Sequence, residues 1–376
     1  MGDVVITGIG IITPLGAQPQ QILSVIRQGA MAAVAPTRWT ADSFPCPVCA
    51  PVTEFDPEPF VPESKTIRFM NRDALLAVAA ARLALGDAAI EIGRHCPPED
   101  VGLYGATGLA GIELAEVSRL IQLAADGQGG LDLHRFGAVA LKQVRPVLSF
   151  KILSNMPMCF VSIFEQIQGP NTIYNPWEGQ GAQAIASAAA AIRRGEAVCA
   201  LAGGCDVKTH ELAFLALARL GVFRSWERQG NGCVPGEGAA FLVLENEGHA
   251  RERGGRIYAR IRKIACRTVE SEKGRAETYA AILHSSGVSS ATAVVRAGDG
   301  DGGLDNAELE SLRRTGLDRA PAIRPKAHLG NLFAAAAAVQ VGLAAAWASG
   351  MQRGDTVLAN CFGYGSEQAA FVLESP

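Results

Sequence analysis

Short apolar runs alternate with helical periodicities along the whole chain. Nine runs of apolar and β-branched residues have the length of buried strands, and they cover 3–12, 101–107, 172–174, 198–202, 239–244, 256–266, 293–296, 356–360 and 369–373. Between them, small and apolar residues recur at helical spacing in 71–85, 113–125, 180–194 and 332–353. This alternation predicts an α/β protein whose sheets are at least partly parallel.

The second half of the chain repeats the plan of the first. An Ala-rich helix at 180–194 and another at 332–353 are each followed by a glycine, an acidic residue, a strand and a further glycine. We therefore predict two similar halves, 1–245 and 256–376. Because small side chains allow close approach, the two Ala-rich helices are expected to pack on each other at the centre.

Composition and charge narrow the possible partners. Of the 376 residues 48% are apolar, only 6% are aromatic and 42 are glycine, so the interior is built from small side chains. The formal net charge is −3, which gives no basic surface for nucleic acid or an anionic membrane. The segment 327–352 lacks charged residues and could span a bilayer, but it is mostly Ala and Gly. A buried helix is the better interpretation, and we predict no membrane or nucleic-acid partner.

The cysteines favour a reduced compartment. There are nine, an odd number, scattered through apolar surroundings, and no secretory leader precedes them, so we expect a cytoplasmic protein. Cys46 and Cys49 form a CxxC pair, but a zinc site would need a second pair or histidines nearby. The run GDGDGG at 298–303 has too few ligands for a calcium loop, so we predict a flexible loop there. No metal and no cofactor are expected.

The order and spacing of several motifs resemble the β-ketoacyl synthase family, which has a thiolase-like fold. The resemblance covers nearly the whole chain and implies a five-layer αβαβα architecture made of two similar halves around two central helices. The matching pieces are VVITGIGIITPLG at 4–16, GPNTI at 169–173, AIASAAAAIRRGEA at 184–197, LAGGCD at 201–206, PGEGAAFLVLE at 235–245, Lys326 with Gly330, and NCFGYGSEQAAFVLE at 360–374.

The residues that make this family catalytic are replaced here. The family uses a cysteine that accepts the acyl chain as a thioester, and two histidines that support decarboxylation of malonyl carrier protein. The motifs place Glu178 at the cysteine position, and Gly298 and Asn331 at the histidine positions. A carboxylate cannot form the thioester that condensation needs. Lys326 matches a family lysine that supports the site, and it either pairs with Glu178 or holds its own loop.

This pattern is similar to the chain-length factor of type II polyketide synthases, and 155–164 with 174–181 resemble partner subunits of polyene-forming systems. The resemblance implies an inactive subunit that pairs with an active ketosynthase acting on acyl carrier protein. It also implies an interface at Thr172, Ile173 and Tyr174. The residues that would shape the acyl tunnel or pocket are Leu109, Ile112, Glu113, Glu116, Met156, Met158 and Tyr364. Two glutamates are unexpected in an apolar tunnel.

Two other functions stay open at this point. The chain could decarboxylate malonyl carrier protein without a nucleophile, although Gly298 has no side chain with which to stabilise an enolate. It could instead bind acyl carrier protein by itself, through a basic patch that includes Arg193, Arg194, Arg224 and Arg228.

Glu178 and His328 also have purely structural interpretations. Asn175 is a good N-cap, Pro176 suits the first helical position, and Glu178 follows the cap at capping-box spacing. Glu178 could therefore be a helix-capping residue or a repurposed acid or base. His328 lies three residues before the family position and is expected to be a surface or loop residue.

Overall fold

Ten strands form one mixed sheet in the computed structural model, which describes residues 3–109, 112, 114–270 and 274–376, without the side chains of Glu116 and Ser149. The strands are β1 (Val4–Ile12), β2 (Val101–Thr107), β3 (Asn171–Tyr174), β4 (Cys199–Val207), β5 (Glu237–Asn246), β6 (Ala259–Thr268), β7 (Ala293–Val295), β8 (Ala322–Ile323), β9 (Thr356–Cys361) and β10 (Glu367–Glu374). They lie in the order β3-β2-β4-β5-β1-β6-β10-β9-β7-β8.

The two halves of this sheet have the same internal order. Outward from the junction of β1 and β6, each half runs first, fifth, fourth, second and third strand in its own chain order. The junction is a short antiparallel contact in which Val5 pairs with Arg260 and Ile6 with Ala259. The second strand of each half pairs in parallel with both of its neighbours, as the alternation of strands and helices predicts.

Fourteen α-helices are found in the described residues. They are α1 (Pro19–Arg27), α2 (Arg72–Asp87), α3 (Leu114–Ala124), α4 (Leu133–Ala138), α5 (Leu148–Ile152), α6 (Met156–Glu165), α7 (Glu178–Arg194), α8 (Glu211–Arg219), α9 (Arg224–Gln229), α10 (Glu247–Glu252), α11 (Arg275–Ser285), α12 (Gly302–Thr315), α13 (Pro325–Leu329) and α14 (Ala336–Ala348). Here α14 is shorter than the predicted helix, because a 3₁₀ turn, Phe333–Ala335, precedes it.

Alternating side chains divide the strands between two faces and create five layers. On β5, Leu242 and Leu244 face α7 and α14, whereas Phe241 and Val243 face α2. The second half does the same, with α11 and α12 on its outer face. The contact between α7 and α14 is close, since a Cβ on Gly181 would stand 3.2 Å from the Cβ of Ala337. The predicted central pair of Ala-rich helices is confirmed.

Most of the long uncharged segment 327–352 is buried inside the protein. All but one of the thirteen residues of α14 are buried. Across the described ranges, no helix is both long enough and apolar enough to cross a membrane.

Candidate active site

The first turn of α7 brings Glu178 into the interior. Glu178 is the first residue of the helix and is completely buried. The cap differs from the predicted one, because Trp177 is the N-cap and its backbone N–H donates to Oε1 of Gln180 at 3.1 Å. Asn175 instead accepts a 2.7 Å hydrogen bond from the Thr107 hydroxyl. The capping-box interpretation of Glu178 is therefore wrong, and its carboxylate makes tertiary contacts.

Three groups converge on the Glu178 carboxylate. Asn331 Nδ2 donates to Oε1 at 2.8 Å, and Lys326 Nζ lies 3.5 Å from the same oxygen. The backbone N–H of Tyr364 donates to Oε2 at 3.3 Å. Gly363 permits this approach, since a Cβ there would stand 2.3 Å from the carboxylate carbon. Lys326 also donates to the carbonyl of Phe362 at 2.7 Å, so it pairs with Glu178 and anchors the turn after β9 instead of its own loop.

Asn331 bridges two buried carboxylates. Its Nδ2 lies 2.8 Å from Glu178 Oε1 and 2.9 Å from Asp299 Oδ2. A side-chain amide has two N–H hydrogens, so one is available for each carboxylate. Its Oδ1 accepts from the backbone N–H of Phe333 at 2.9 Å. The amide therefore has no free hydrogen for a further acceptor in this structure.

Asp299 and Lys326 are two further buried ionisable residues beside Glu178. Each is only 3% exposed. Burial raises the pKa of Asp299 to about 6, against the opposing charge of Lys326. Burial also disfavours the charged lysine, but Glu178 and Asp299 outweigh it and the pKa of Lys326 is raised. We call Glu178, Asp299, Lys326 and Asn331 the polar cluster.

The prediction of a flexible loop at 298–303 is wrong. Asp299 is buried in the polar cluster, and Asp301 caps α12 by accepting from the backbone N–H groups of Gly303 and Leu304. Sequence reasoning missed Asp299 because a run of glycines and aspartates resembles an exposed turn. Its position directly after Gly298, a family catalytic position, was the available signal.

Gly298 has no room for a larger side chain. A Cβ at this position would stand 2.5 Å from Asp305 Oδ1. Both oxygens of the buried Glu308 carboxylate hold the loop, by accepting from the N–H groups of Ala297 at 2.8 Å and Gly298 at 3.1 Å. A histidine here would require Asp305 to move. Of the three positions that the motifs align with the family's catalytic residues, Glu178 and Asn331 are in contact, and Asn331 also bonds Asp299, the residue after Gly298.

The described part of the chain provides no activated thiol near this cluster. Cys233 is fully buried beside it, and burial followed by the Asp299 and Glu178 charges raises its thiol pKa. Burial likewise raises the pKa of Cys46 to about 11 and that of Cys49 to about 12. No group of His, Cys, Asp and Glu in the described ranges is arranged to hold a metal ion.

Aromatic rings pack beside the polar cluster. The ring centroid of Trp177 lies 6.0 Å from that of Phe333 and 6.4 Å from that of Tyr364. The Tyr364 hydroxyl also lies 3.5 Å from Asp301 Oδ2, so this predicted pocket residue is held at both ends. His328 lies elsewhere, with Nδ1 2.7 Å from the carbonyl oxygen of Ala30.

The predicted tunnel residues divide into exposed and buried positions. Leu109 is 65% exposed and Ile112 is partly exposed. Met158 is a core residue behind β2, because its sulfur occupies the place where a Cβ of Gly105 would stand, and Met156 packs against the same core. Glu113 and the side chain of Glu116 lie outside the described residues.

The outermost strand and the chain that leads to it carry the exposed apolar surface. β3 contains the predicted interface residues Thr172, Ile173 and Tyr174 and pairs with β2 on one side. The segment 108–170, here called the apolar connection, links β2 to β3. It holds eleven of the fifteen large apolar side chains that are exposed in the described ranges: Leu109, Leu114, Ile121, Leu131, Leu133, Val139, Leu141, Phe150, Ile152, Leu153 and Ile163.

The four arginines proposed for a basic patch do not cluster. Arg193 and Arg194 are at the C-terminal end of α7, roughly 25 Å along the helix from Glu178 at 1.5 Å per residue. Arg224 and Arg228 are on α9, whose Ser225 bonds Asp301 near the polar cluster. The sequence left open whether these arginines cluster, and the structure places the two pairs on different helices.

Comparison with known proteins agrees with this fold. The family model described as "Beta-ketoacyl synthase, N-terminal domain" matches residues 1–250. A 3-oxoacyl-acyl-carrier-protein synthase 2 of Coxiella burnetii is 30% identical over 272 residues, which are 69% of this chain and 61% of that protein. The tetracenomycin polyketide synthase ketoacyl synthase beta subunit of Streptomyces glaucescens is 27% identical over 366 residues, covering 91% of this chain and 84% of the relative.

A solved structure, "The ishigamide ketosynthase/chain length factor", superposes with a TM-score of 0.80 at 22% identity, and covers 100% of this chain and 99% of that chain. This likeness shows a shared fold and confirms the predicted fold class.

Proposed function

Because the chain belongs to the β-ketoacyl synthase family, we propose that it is the non-catalytic, chain-length-factor partner of an active ketosynthase in a type II polyketide system. It would share the family's fold but would not carry out the condensation reaction. The observation that carries this proposal is the polar cluster. By their motifs, Glu178, Gly298 and Asn331 align with the family's catalytic positions. Asn331 donates to Glu178 and Asp299, and the Gly298 N–H donates to Glu308. The cluster is 0–3% exposed, so no acyl thioester can reach it without rearrangement.

The apolar connection and β3 support a macromolecular partner. Exposed apolar surface on this scale is typical of protein interfaces, and the outer edge of a terminal strand can pair with a second chain. An active ketosynthase is the partner that fits a subunit lacking its own nucleophile. Acyl carrier protein would then deliver substrate to the heterodimer, and the active subunit would perform the condensation.

Leu109 and Ile112 are the residues that we propose as the floor of the partner's acyl tunnel. Both follow β2 and are exposed to different degrees in the isolated chain, so a partner can reach them. Their effect would be steric, because forcing a methylene group into a filled space costs about 1–3 kcal/mol. The size of these side chains would therefore limit chain length.

Decarboxylation of malonyl carrier protein is the weaker candidate. It requires hydrogen-bond donors for the developing enolate. Asn331 uses its N–H groups on Glu178 and Asp299, and Gly298 has no side chain. No contact of the polar cluster favours this second function.

The test is the activity of the heterodimer when the cluster is altered conservatively. Glu178→Gln keeps an acceptor for Asn331 and removes the carboxylate. We expect product yield per heterodimer to stay within about twofold of wild type, since the cluster does no chemistry. Replacement of the partner's own catalytic cysteine is the matched control and should abolish product. A large loss with E178Q in an intact heterodimer would show that Glu178 takes part in the reaction.

A further inference from the structure

A buried ion pair lies at the end of β4, outside the polar cluster. Asp206 is completely buried, and its Oδ1 accepts from the backbone N–H of Val207 at 2.9 Å. The same oxygen makes a close ion pair with Lys208 Nζ. Only 12% of the Lys208 side chain is exposed, and its ammonium group lies 5.9 Å from the centroid of the Phe333 ring. Neither residue has a role in the function proposed above.

One side of this ion pair supports the turn that follows β2. A Cβ on Gly108 would stand 2.1 Å from Asp206 Oδ1 and 2.5 Å from Lys208 Nζ, so the turn backbone rests directly on the charged groups. The N–H of Gly108 donates to the carbonyl of Cys205 at 3.4 Å. The next residue is Leu109, whose side chain is the more exposed of the two proposed floor residues.

The other side of the ion pair holds the segment that leaves the polar cluster. Asp206 Oδ2 accepts from the backbone N–H of Ala334 at 3.2 Å. The preceding residue, Phe333, has a φ of 43°, which is unusual for a residue with a side chain, and Asn331 Oδ1 fixes its N–H. Asp206 thus contacts two segments that are far apart in sequence and holds them at one separation.

We propose that Asp206 and Lys208 are positioning residues that fix the position of the Gly108–Leu109 backbone relative to β4. They would thereby determine the length of the acyl chain that the heterodimer accepts. This inference rests on the function proposed above. The ion pair does not touch the acyl chain. It fixes the backbone on which the floor residues stand, and removal of its charge allows that backbone to shift.

The experiment compares variants of the full chain co-expressed with its ketosynthase. Asp206→Asn keeps the shape and removes the carboxylate charge, whereas Gly108→Ala keeps the charges and pushes the turn away from them. Glu237→Gln is the matched control, because Glu237 is a buried carboxylate paired with Arg72 that does not contact the turn. Product chain lengths and the melting temperature are measured for each heterodimer.

We expect D206N and G108A to shift the main product by at least one malonyl-derived unit or to broaden its distribution. E237Q should lower the melting temperature and leave the distribution unchanged. Unchanged product lengths in D206N and G108A, together with a shift in an Ile112→Ala heterodimer, would overturn the inference and leave the proposed function standing. Failure of Ile112→Ala as well would count against the proposed function itself.

Hydrogen–deuterium exchange tests the positioning role independently of product. Peptides that contain Gly108 should exchange at least severalfold faster in D206N than in wild type, and E237Q should leave them unchanged. Equal protection of these peptides in all three proteins would overturn the inference whatever the product assay shows.

Discussion

The polar cluster and the apolar connection have opposite relations to solvent. Glu178 and Asn331 align by their motifs with catalytic positions of the family, yet together with Asp299 and Lys326 they are buried in one bonded cluster. The apolar connection is rich in large hydrophobic side chains, yet many of these are exposed. Buried polar groups need hydrogen-bond partners, and the polar cluster finds them within this chain. Exposed apolar side chains gain from burial, and the apolar connection would need a second protein to bury them. This difference is the reason why we propose binding, rather than catalysis, as the function of this chain.

The largest expected effect comes from breaking the polar cluster. Glu178→Ala removes the carboxylate that accepts from Asn331 and pairs with Lys326, and loss of one member of a buried ion pair costs about 3–5 kcal/mol. Urea unfolding of the isolated chain measures this loss. Glu310→Ala, which removes an exposed ion pair with Arg314, is the control and should cost much less. Equal losses in the two variants would contradict the picture of an interlocked cluster.

Stability should also depend on the protonation of Asp299. Its folded pKa of about 6 is above the unfolded value of about 3.9, so the proton binds the folded state more tightly. This contribution is fully present below pH 4 and is lost as pH rises through 6, up to about 3 kcal/mol in total. The difference in unfolding free energy between wild type and Asp299→Asn should therefore change between about pH 4 and pH 7. Parallel pH profiles would contradict the pKa assignment.

The apolar connection can be altered without disturbing the fold. Ile163 is 66% exposed on α6, so Ile163→Asp should leave the isolated chain stable. In a heterodimer the new carboxylate would lose its water, and we expect affinity to fall on the order of tenfold to a hundredfold. Leu215→Asp, on the exposed face of α8, is the matched control and should leave affinity unchanged. If both variants bind equally well, Ile163 does not belong to the interface.

The smallest expected effect is the shift in product length after a substitution in the proposed tunnel floor. Ile112→Ala removes three carbon atoms and should lengthen the product, because the penalty of about 1–3 kcal/mol for each extra methylene group is relieved. Mass spectrometry of the products measures the shift. Leu220→Ala, an exposed position after α8, serves as control. Products of unchanged length from both heterodimers would remove Ile112 from the proposed floor.

Sequence alone predicted the fold, since it depends on the order of motifs and on strand and helix periodicity. The same internal strand order in the two halves agrees with the repeat of Ala-rich helix, glycine and strand. The convergence of Glu178 and Asn331 follows from the positions of their motifs at the start of α7 and just before α14.

What the sequence could not predict were contacts between distant segments. Asn175 bonds Thr107, 68 residues earlier in the chain, and is therefore not the helix cap that local spacing predicts. Asp299 is buried and bonds Asn331, which is distant in sequence, whereas its local sequence is typical of an exposed turn. Local propensity is a weak guide where tertiary packing decides the direction of a side chain.

The central claim is that this chain forms a complex with an active ketosynthase and does no chemistry itself. The most direct measurement is the native mass of the chain after co-expression with a candidate partner ketosynthase. The account predicts a one-to-one heterodimer that makes product only when the partner's cysteine is intact. A homodimer or monomer that ignores the ketosynthase, or product formed by this chain alone, would contradict it.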